Sequence, residues 1–373
     1  MKLIIITLTF VLLTAAVAFG QEDKTEKIAD LVFKESIEKK LQVGMVVGVI
    51  NGNQSRIFTY GKTGTLGNQQ LNGDSVFEIA SVTKPFTGIL LADMVERGEV
   101  NFSDPVSFYL PASVKPLKYQ EREISLLDLA TQTSGLPRMP ANFAPKDEGN
   151  PYVDYTVEQL YEFLAGYKLE RDIGLTYEYS NLGFGLLGHV LAQKVKTDYE
   201  DLVVSRVCLP LKMQDTKIKL TEGMKTRLIA GHDENLNPAR NWDSPTLAGA
   251  GALRSTANDM LKFLAANLGQ TSSSLLPALK NSHLARYRTP LYPVSFIGLG
   301  WHIRNYKGTE IVWHNGATGG YSSFVGFNKK HNLAVVVLTN TSNSSDTTSA
   351  GMGYLLSLIA NKQKSLEKNN LKK

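Results

Sequence analysis

Residues 77–86 read Phe-Glu-Ile-Ala-Ser-Val-Thr-Lys-Pro-Phe, and they mark where one kind of sequence gives way to another. Ser81 and Lys84 stand three residues apart, so on a helix both side chains face the same side. Pro85 is tolerated in a first helical turn, where backbone donors lack intrahelical partners anyway, so a helix starts at or beside Ser81. The unpaired N–H of Ser81 is then free to donate to an oxyanion, and the positive helix end favours a serine alkoxide. Phe77, Ile79 and Phe86 wall in Lys84, an environment that lowers an amine's pKa and lets it accept the serine proton. The same spacing recurs at Ser36 to Lys39 and at Ser365 to Lys368. The first pair reads as a solvated helix face amid Lys34, Glu35, Glu38 and Lys40, and the second lies in a polar tail, so neither has a comparable setting.

Upstream, Lys24 to Leu41 has helical spacing of Ile28, Leu31, Val32 and Ile37. It leads into Gly44–Ile50 and Ser55–Tyr60, a hairpin with Asn51-Gly52 supplying the turn chemistry. Downstream the pattern turns helical, over Pro85–Glu96, Ser125–Ala130, Thr156–Ala165 and Asn181–Val195. Strand signals return at Gly300–Arg304, Glu310–His314, Ser322–Phe327 and Leu333–Leu338, an antiparallel meander, followed by a helix over Ala350–Ala360. A lone hairpin is marginal in water, so the N-terminal hairpin is expected to join the C-terminal sheet, with the helical middle inserted and a cleft at the seam. The reading is an α+β fold. It comprises a signal peptide (1–20), the N-terminal part of an α/β domain (21–80), a mainly helical insertion (81–245), the C-terminal part of the α/β domain (246–362) and a lysine-rich tail (363–373).

The formal charge of +5 does not point to nucleic acid. Lys2 and the five lysines of the segment Asn361–Lys373, set against Glu367, account for the whole excess, and such a tail reads as a solvated, frayed end. Leu3–Phe19 is apolar and closes on Ala16-x-Ala18 and Ala18-x-Gly20, the pattern of a cleaved secretory signal, with an uncleaved anchor as the alternative. No later segment approaches membrane-spanning length. Export implies a secreted or periplasmic protein, and with Cys208 as the only cysteine it folds without an internal disulfide. The six histidines lack the paired spacing of a zinc site, so neither a metal nor another cofactor is expected.

A serine and lysine still need a proton carrier for the leaving group and a second oxyanion donor. Tyr179-x-Asn181 is the one tyrosine-x-asparagine among fifteen tyrosines, on a loop whose Ser180 and Asn181 cap the next helix. A phenol flanked by a lysine can shuttle protons, although a packed tyrosine in a capping loop has the same appearance. His314-Asn315-Gly316-Ala317 follows a strand and runs into glycines, which admit a ligand close to the backbone, and the N–H of Ala317 is a candidate oxyanion donor. Lys62-Thr63-Gly64 has a similar form but falls in a turn after the second strand. The nucleophile elbow Gly-x-Ser-x-Gly and the phosphate-binding loop are both missing.

The order Ser81-x-x-Lys84, Tyr179-x-Asn181, His314-x-Gly316 resembles the penicillin-recognising serine hydrolases, in particular the group holding class C β-lactamases, serine D-Ala-D-Ala carboxypeptidases and family VIII carboxylesterases. The likeness extends to Leu129–Pro137, Pro210–Thr216, Ser255–Met260 and Gly298–Trp301. It implies a β-lactamase/transpeptidase-like fold in which helices flank an antiparallel sheet. It also implies that Ser81 is acylated, Lys84 activates it, and Tyr179 shuttles protons. Asn181 would bind the substrate amide, the N–H groups of Ser81 and Ala317 would form the oxyanion hole, and His314 would help hold the substrate carboxylate and bias Tyr179 toward ionisation.

Two departures stand out: His314-Asn315-Gly316 replaces the lysine-threonine-glycine typical of class C enzymes, and Ala80 and Thr83 flank the serine where that signature prefers glycine and a smaller residue. Both argue against efficient β-lactam turnover. The resemblance implies a small-molecule or peptide substrate, a β-lactam or a D-Ala peptide. Esters of small acyl groups are the alternative, and a penicillin-binding sensor with little turnover is a third reading that Tyr179 argues against. Substrate choice rests on loops such as Arg138–Tyr155 and Leu275–Val294, whose paths the sequence does not fix. Oligomeric state is equally unread.

Overall fold

A computed structural model describes residues 24–64 and 69–370. The expected signal peptide and its cleavage sites lie outside these residues. Helix α1 (Lys24–Glu38) precedes strands β1 (Gly44–Asn51) and β2 (Gln54–Gly61), which pair across a two-residue turn at Gly52-Asn53. Gly52 there has φ +64°, a left-handed value that glycine takes without a Cβ clash. After β3 (Val76–Glu78) comes α2 (Thr83–Glu96), then α3 (Leu126–Ala130), α4 (Val157–Gly166) and α5 (Asn181–Val195). Local chemistry fixes several helix starts: Ser125 with Asp128, and Thr156 with Gln159, form reciprocal capping boxes.

The chain then returns through β4 (Arg254–Thr256), α6 (Ala257–Asn267) and α7 (Leu276–Ser282) to six strands. These are β5 (Tyr287–Arg288), β6 (Ser295–Ile297), β7 (His302–Tyr306), β8 (Thr309–Ala317), β9 (Ser322–Asn328) and β10 (Leu333–Thr339), followed by α8 (Ser344–Asn370). The main sheet has eight strands in the order β2-β1-β10-β9-β8-β7-β6-β5. Its strands pair antiparallel, and the N-terminal hairpin joins it through β1, with Met45 opposite Thr339.

Both faces of the central strands are covered. Met45, Val47 and Val49 pack with Val335, Val337, Leu355 and Ile359 under α1 and α8, while Val46, Ile50, Val336 and Leu338 join the larger core beneath α2 and α6. Double burial explains why these strands read as nearly continuous apolar runs.

Several expectations need correction. Ser36 is not on a solvated face: it is buried, with its hydroxyl 3.3 Å from Asp346 at the start of α8, because that side of α1 packs on the last helix. The last helix starts six residues early, where Asn343 Oδ1 accepts the N–H of Asp346, and it runs on through lysine-rich turns that contain no glycine or proline to stop it. The tail is therefore helical as far as Asn370. Strands β5 and β6 carried no readable signal, being two and three residues long. Strand β8 continues through Gly316 and Ala317, opposite Ser323 and Ser322, where the sequence suggested that it ended at His314. Gly64 of the Lys62-Thr63-Gly64 turn sits against His232. Among the described residues no helix is long and apolar enough to cross a membrane, and no cluster of three or more His, Cys, Asp or Glu side chains could hold a metal.

Candidate active site

Ser81 lies in the short 3-10 turn Ala80–Val82 that leads into α2, between the sheet and the helical region. It is partly exposed at the head of an otherwise buried helix. Ala80 holds a left-handed φ of +48°, uncommon for a residue with a Cβ, and this turns the chain sharply just ahead of the serine. Lys84 is fully buried. Its Nζ lies 3.0 Å from Ser81 Oγ, 2.9 Å from Asn181 Oδ1 and 2.7 Å from the Ala250 carbonyl oxygen. Burial, helped by the Arg138 charge, pushes the Lys84 amine well below the ordinary lysine range. A neutral amine has two N–H donors and one lone pair. The Asn181 and Ala250 oxygens, which can only accept, take the two donors, and the lone pair is left facing the Ser81 hydroxyl.

The loop carrying Tyr179 is clamped from both sides by one residue. Gln132 accepts the Glu178 N–H through its backbone carbonyl (2.8 Å) and the Ser180 N–H through its side chain (2.7 Å). Ser180 in turn donates to the Pro137 carbonyl and caps α5 by accepting the Gly183 N–H. Gln132 itself has φ +60°, a cost that this double clamp offsets. The Leu129–Pro137 segment thus has a positioning task that its sequence did not show.

Lys84 Nζ is 4.7 Å from the centre of the Tyr179 ring. Burial pushes the Tyr179 phenol up to about 12, against the opposing pull of its hydrogen bond with Ser81 and of the Arg138 charge. At neutral pH the phenol therefore keeps its proton and can give one away.

Gly316 brings β8 against the serine turn. A Cβ there would stand 2.8 Å from the Ser81 nitrogen and 2.5 Å from the Ile79 oxygen, so only glycine permits the approach. Thr318 donates its N–H to the Tyr321 carbonyl, making 318 and 321 a bonded pair. Alternation along an antiparallel ladder then turns the N–H of Ala317, opposite Ser322, away from β9. Ala317 and Ser81 both line a cleft of about 420 Å³, walled by Tyr152, Asn181, Trp242, Leu247 and Thr318.

His314 differs from expectation. It reaches the neighbourhood of Tyr179, with ring centres 6.4 Å apart, but it is buried and stacked on His302 at 4.9 Å. Its Nδ1 donates to the Asn315 carbonyl at 2.6 Å. Burial, then the neighbouring His302 and Lys84, push its pKa well below the usual histidine value, so the ring is neutral and supplies no positive field to a carboxylate or to Tyr179.

Sequence reasoning missed Tyr152, Trp242, Leu247, Ala250 and Gly251, which lie in segments without periodicity, and it missed the support behind them. Buried Glu78 accepts the Trp242 N–H at 2.9 Å and an Asn241 side-chain N–H at 3.0 Å. Arg254 stands 3.5 Å away and also donates to the Trp242 carbonyl. This network fixes the cleft wall that faces Ser81.

The Beta-lactamase family model matches residues 30–357. The D-alanyl-D-alanine-carboxypeptidase/endopeptidase AmpH of Escherichia coli K12 is 30% identical over 340 residues, covering 86% of this chain and 84% of that protein. A β-lactamase of Pseudomonas fluorescens is 25% identical, covering 84% and 93% respectively. Among solved structures, a β-lactamase/D-alanine carboxypeptidase from Yersinia pestis complexed with citrate superposes with TM-score 0.79 at 25% identity, covering 91% of this chain and 98% of that one. A class C β-lactamase from Rhodobacter sphaeroides gives TM-score 0.77 at 25% identity, covering 89% and 99%. The family model and these relatives each match over most of the chain, and the chain belongs to the β-lactamase family of penicillin-recognising serine hydrolases.

Proposed function

We propose that this serine hydrolase is an exported carboxypeptidase acting on D-Ala-D-Ala-type peptides through an acyl-enzyme on Ser81, with β-lactams as slower acylating analogues. The observation that carries the reading is the 3.0 Å approach of a buried, pKa-lowered Lys84 amine to Ser81 Oγ. In the proposed cycle Lys84 takes the Ser81 proton as Oγ attacks the substrate carbonyl. The N–H groups of Ser81 and Ala317 receive the oxyanion, and Asn181 orients the substrate amide. Tyr179, still protonated, gives its proton to the departing amine as the scissile C–N bond breaks, and the Lys84 ammonium beside it restores the phenol. Water then attacks the ester carbonyl, losing a proton to Lys84, which is again neutral, and Lys84 returns that proton to Ser81 as it leaves as a hydroxyl.

The similarity to AmpH, named as a D-Ala-D-Ala carboxypeptidase/endopeptidase, supports the peptide reading over the β-lactam one. So does the absence of the third-motif lysine. The apolar run 3–19 supports export. The apolar walls Tyr152, Trp242 and Leu247 also suit a small acyl group, which keeps an esterase as the second reading.

One parallel assay separates these readings: a D-Ala-D-Ala peptide, a chromogenic cephalosporin and a nitrophenyl ester, with labelling by fluorescent penicillin. Release of D-alanine and label on the wild type, with neither on Ser81→Ala, is the expected result. Label that persists on Ser81→Ala overturns the nucleophile assignment, and turnover of the ester alone replaces the peptidase with an esterase.

A further inference from the structure

With His314 neutral and Lys84 depressed, the cleft needs another source of fixed positive charge if its substrate is an anion. Arg138 has the right placement. Its guanidinium carbon lies 5.2 Å from the centre of the Tyr179 ring, and the residue is exposed. Its backbone is anchored, because the Arg138 carbonyl accepts the N–H groups of Asn181 (3.0 Å) and Leu182 (3.1 Å). The Arg138 backbone is thereby tied to the turn that carries the proton-donating phenol and the amide-binding asparagine.

Neighbouring arginines are spoken for: Arg171 pairs with Glu178, Arg240 with Asp147, and Arg254 with Glu78 and Asp243. The Arg138 side chain has no hydrogen-bond acceptor and no carboxylate among the described residues. Its charge nevertheless reaches the site: it adds to the lowering of Lys84 by burial and opposes the burial that raises Tyr152 and Tyr179.

We infer that Arg138, and not His314, receives the carboxylate of the substrate and so selects for a leaving group that bears a negative charge. The inference rests on the proton-transfer scheme proposed above. The phenol that protonates the departing amine must neighbour that amine, and the Arg138 guanidinium lies over the ring of the same phenol. A leaving amino acid carries its carboxylate one carbon from the nitrogen, so a carboxylate beside the proton-donating phenol is also beside the guanidinium that lies over that phenol. Five donors in a planar fork match that carboxylate, whereas a neutral imidazole does not.

The test compares matched substrates: a peptide ending in D-Ala-D-Ala and the same peptide ending in D-alaninamide, which differ in the leaving-group charge. Wild type is expected to prefer the acid. Arg138→Ala is expected to lower kcat/KM for the acid by about 10- to 100-fold more than for the amide, the scale of a charge-assisted hydrogen bond, with the difference mainly in KM. Arg138→Lys should recover part of that preference. An equal loss on both substrates would mean that Arg138 acts only through Tyr179, and would overturn the assignment.

Should neither peptide be cleaved by the wild type, the peptidase reading fails on its own. Phenyl acetate and meta-carboxyphenyl acetate then provide the same neutral and anionic leaving-group pair for an esterase. A wild-type preference for the anionic ester that Arg138→Ala abolishes sustains the inference, and an unchanged preference defeats it.

Discussion

The side-chain nitrogen of Lys84 lies 2.7 Å from the carbonyl oxygen of Ala250, an acceptor that cannot give a proton back. With Asn181 Oδ1 at 2.9 Å, this contact decides how the amine is oriented. Both N–H bonds of a neutral Lys84 point away from Ser81, and its lone pair points toward it. Lys84→Met should therefore slow acylation by roughly 10²–10⁴-fold, the usual contribution of a general base. Lys84→Arg should fail to restore the rate, because a guanidinium stays protonated and has no lone pair to offer. Stopped-flow measurement of penicillin acylation reads both outcomes. Acylation by Lys84→Arg at the wild-type rate would remove Lys84 from the role of base.

The same burial leaves a mark on stability. The native Lys84 pKa is lowered, so between that value and the unfolded value near 10.4 the unfolded chain binds one more proton than the native state. Stability contributed by this site rises with pH through that window, by up to about 1.4 kcal/mol per pH unit, and falls as pH drops toward the native pKa. Lys84→Met lacks this slope. Denaturant midpoints of the two proteins, followed from neutral pH toward pH ~10, should show the wild type gaining on the variant. Parallel curves would mean that the amine is not depressed.

Gly316 should tolerate no side chain. A Cβ at 2.5 Å from the Ile79 oxygen and 2.8 Å from the Ser81 nitrogen meets backbone on both sides, so β8 or the serine turn must move. Either shift spoils the alignment of the Ser81 and Ala317 amides in the proposed oxyanion hole, and losing one such donor costs about 10²–10³ in kcat. Gly316→Ala is expected to fold, to bind substrate with a modestly changed KM and to lose turnover on this scale. Steady-state kinetics checks it, and near-normal kcat would show that the close approach is dispensable.

Much of this arrangement was legible because it is local. The one-turn spacing of Ser81 and Lys84 and the cap at Ser180 each depend on a few adjacent residues. Features that depend on distant partners were not. Ser36 looked solvated until α8 packed on it, and Gln132 gave no sign that it would clamp a loop nearly fifty residues away. The wall residues Tyr152 and Trp242 belong to irregular segments, where no periodicity reports burial.

His314 is the sharpest case of such a distant effect. Taken alone, an imidazole titrates near pH 6.5 and would favour anionic substrates below that value. Stacked on His302, itself pushed down to about 4, and buried beside Lys84, it stays neutral through that range. The ratio of kcat/KM for an anionic to a neutral substrate should accordingly show no limb near pH 6.5. A limb there that disappears in His314→Gln would restore the role inferred from sequence.

Ala80 offers a gain instead of a loss. Its φ of +48° costs an L-residue roughly 1–2 kcal/mol, and glycine escapes that cost while giving up about 0.5–1 kcal/mol of chain entropy. Ala80→Gly should therefore stabilise the fold by about 0.5–1 kcal/mol, readable as a higher denaturant midpoint at unchanged slope. Ala80→Val should destabilise it, because a β-branched side chain suits the left-handed region least. The same strain sits one residue before the serine and holds the turn that presents Oγ to the cleft. The glycine variant is thus also expected to relax that turn, trading acylation rate for stability. A variant that is both faster and more stable would show that the strain has no part in catalysis.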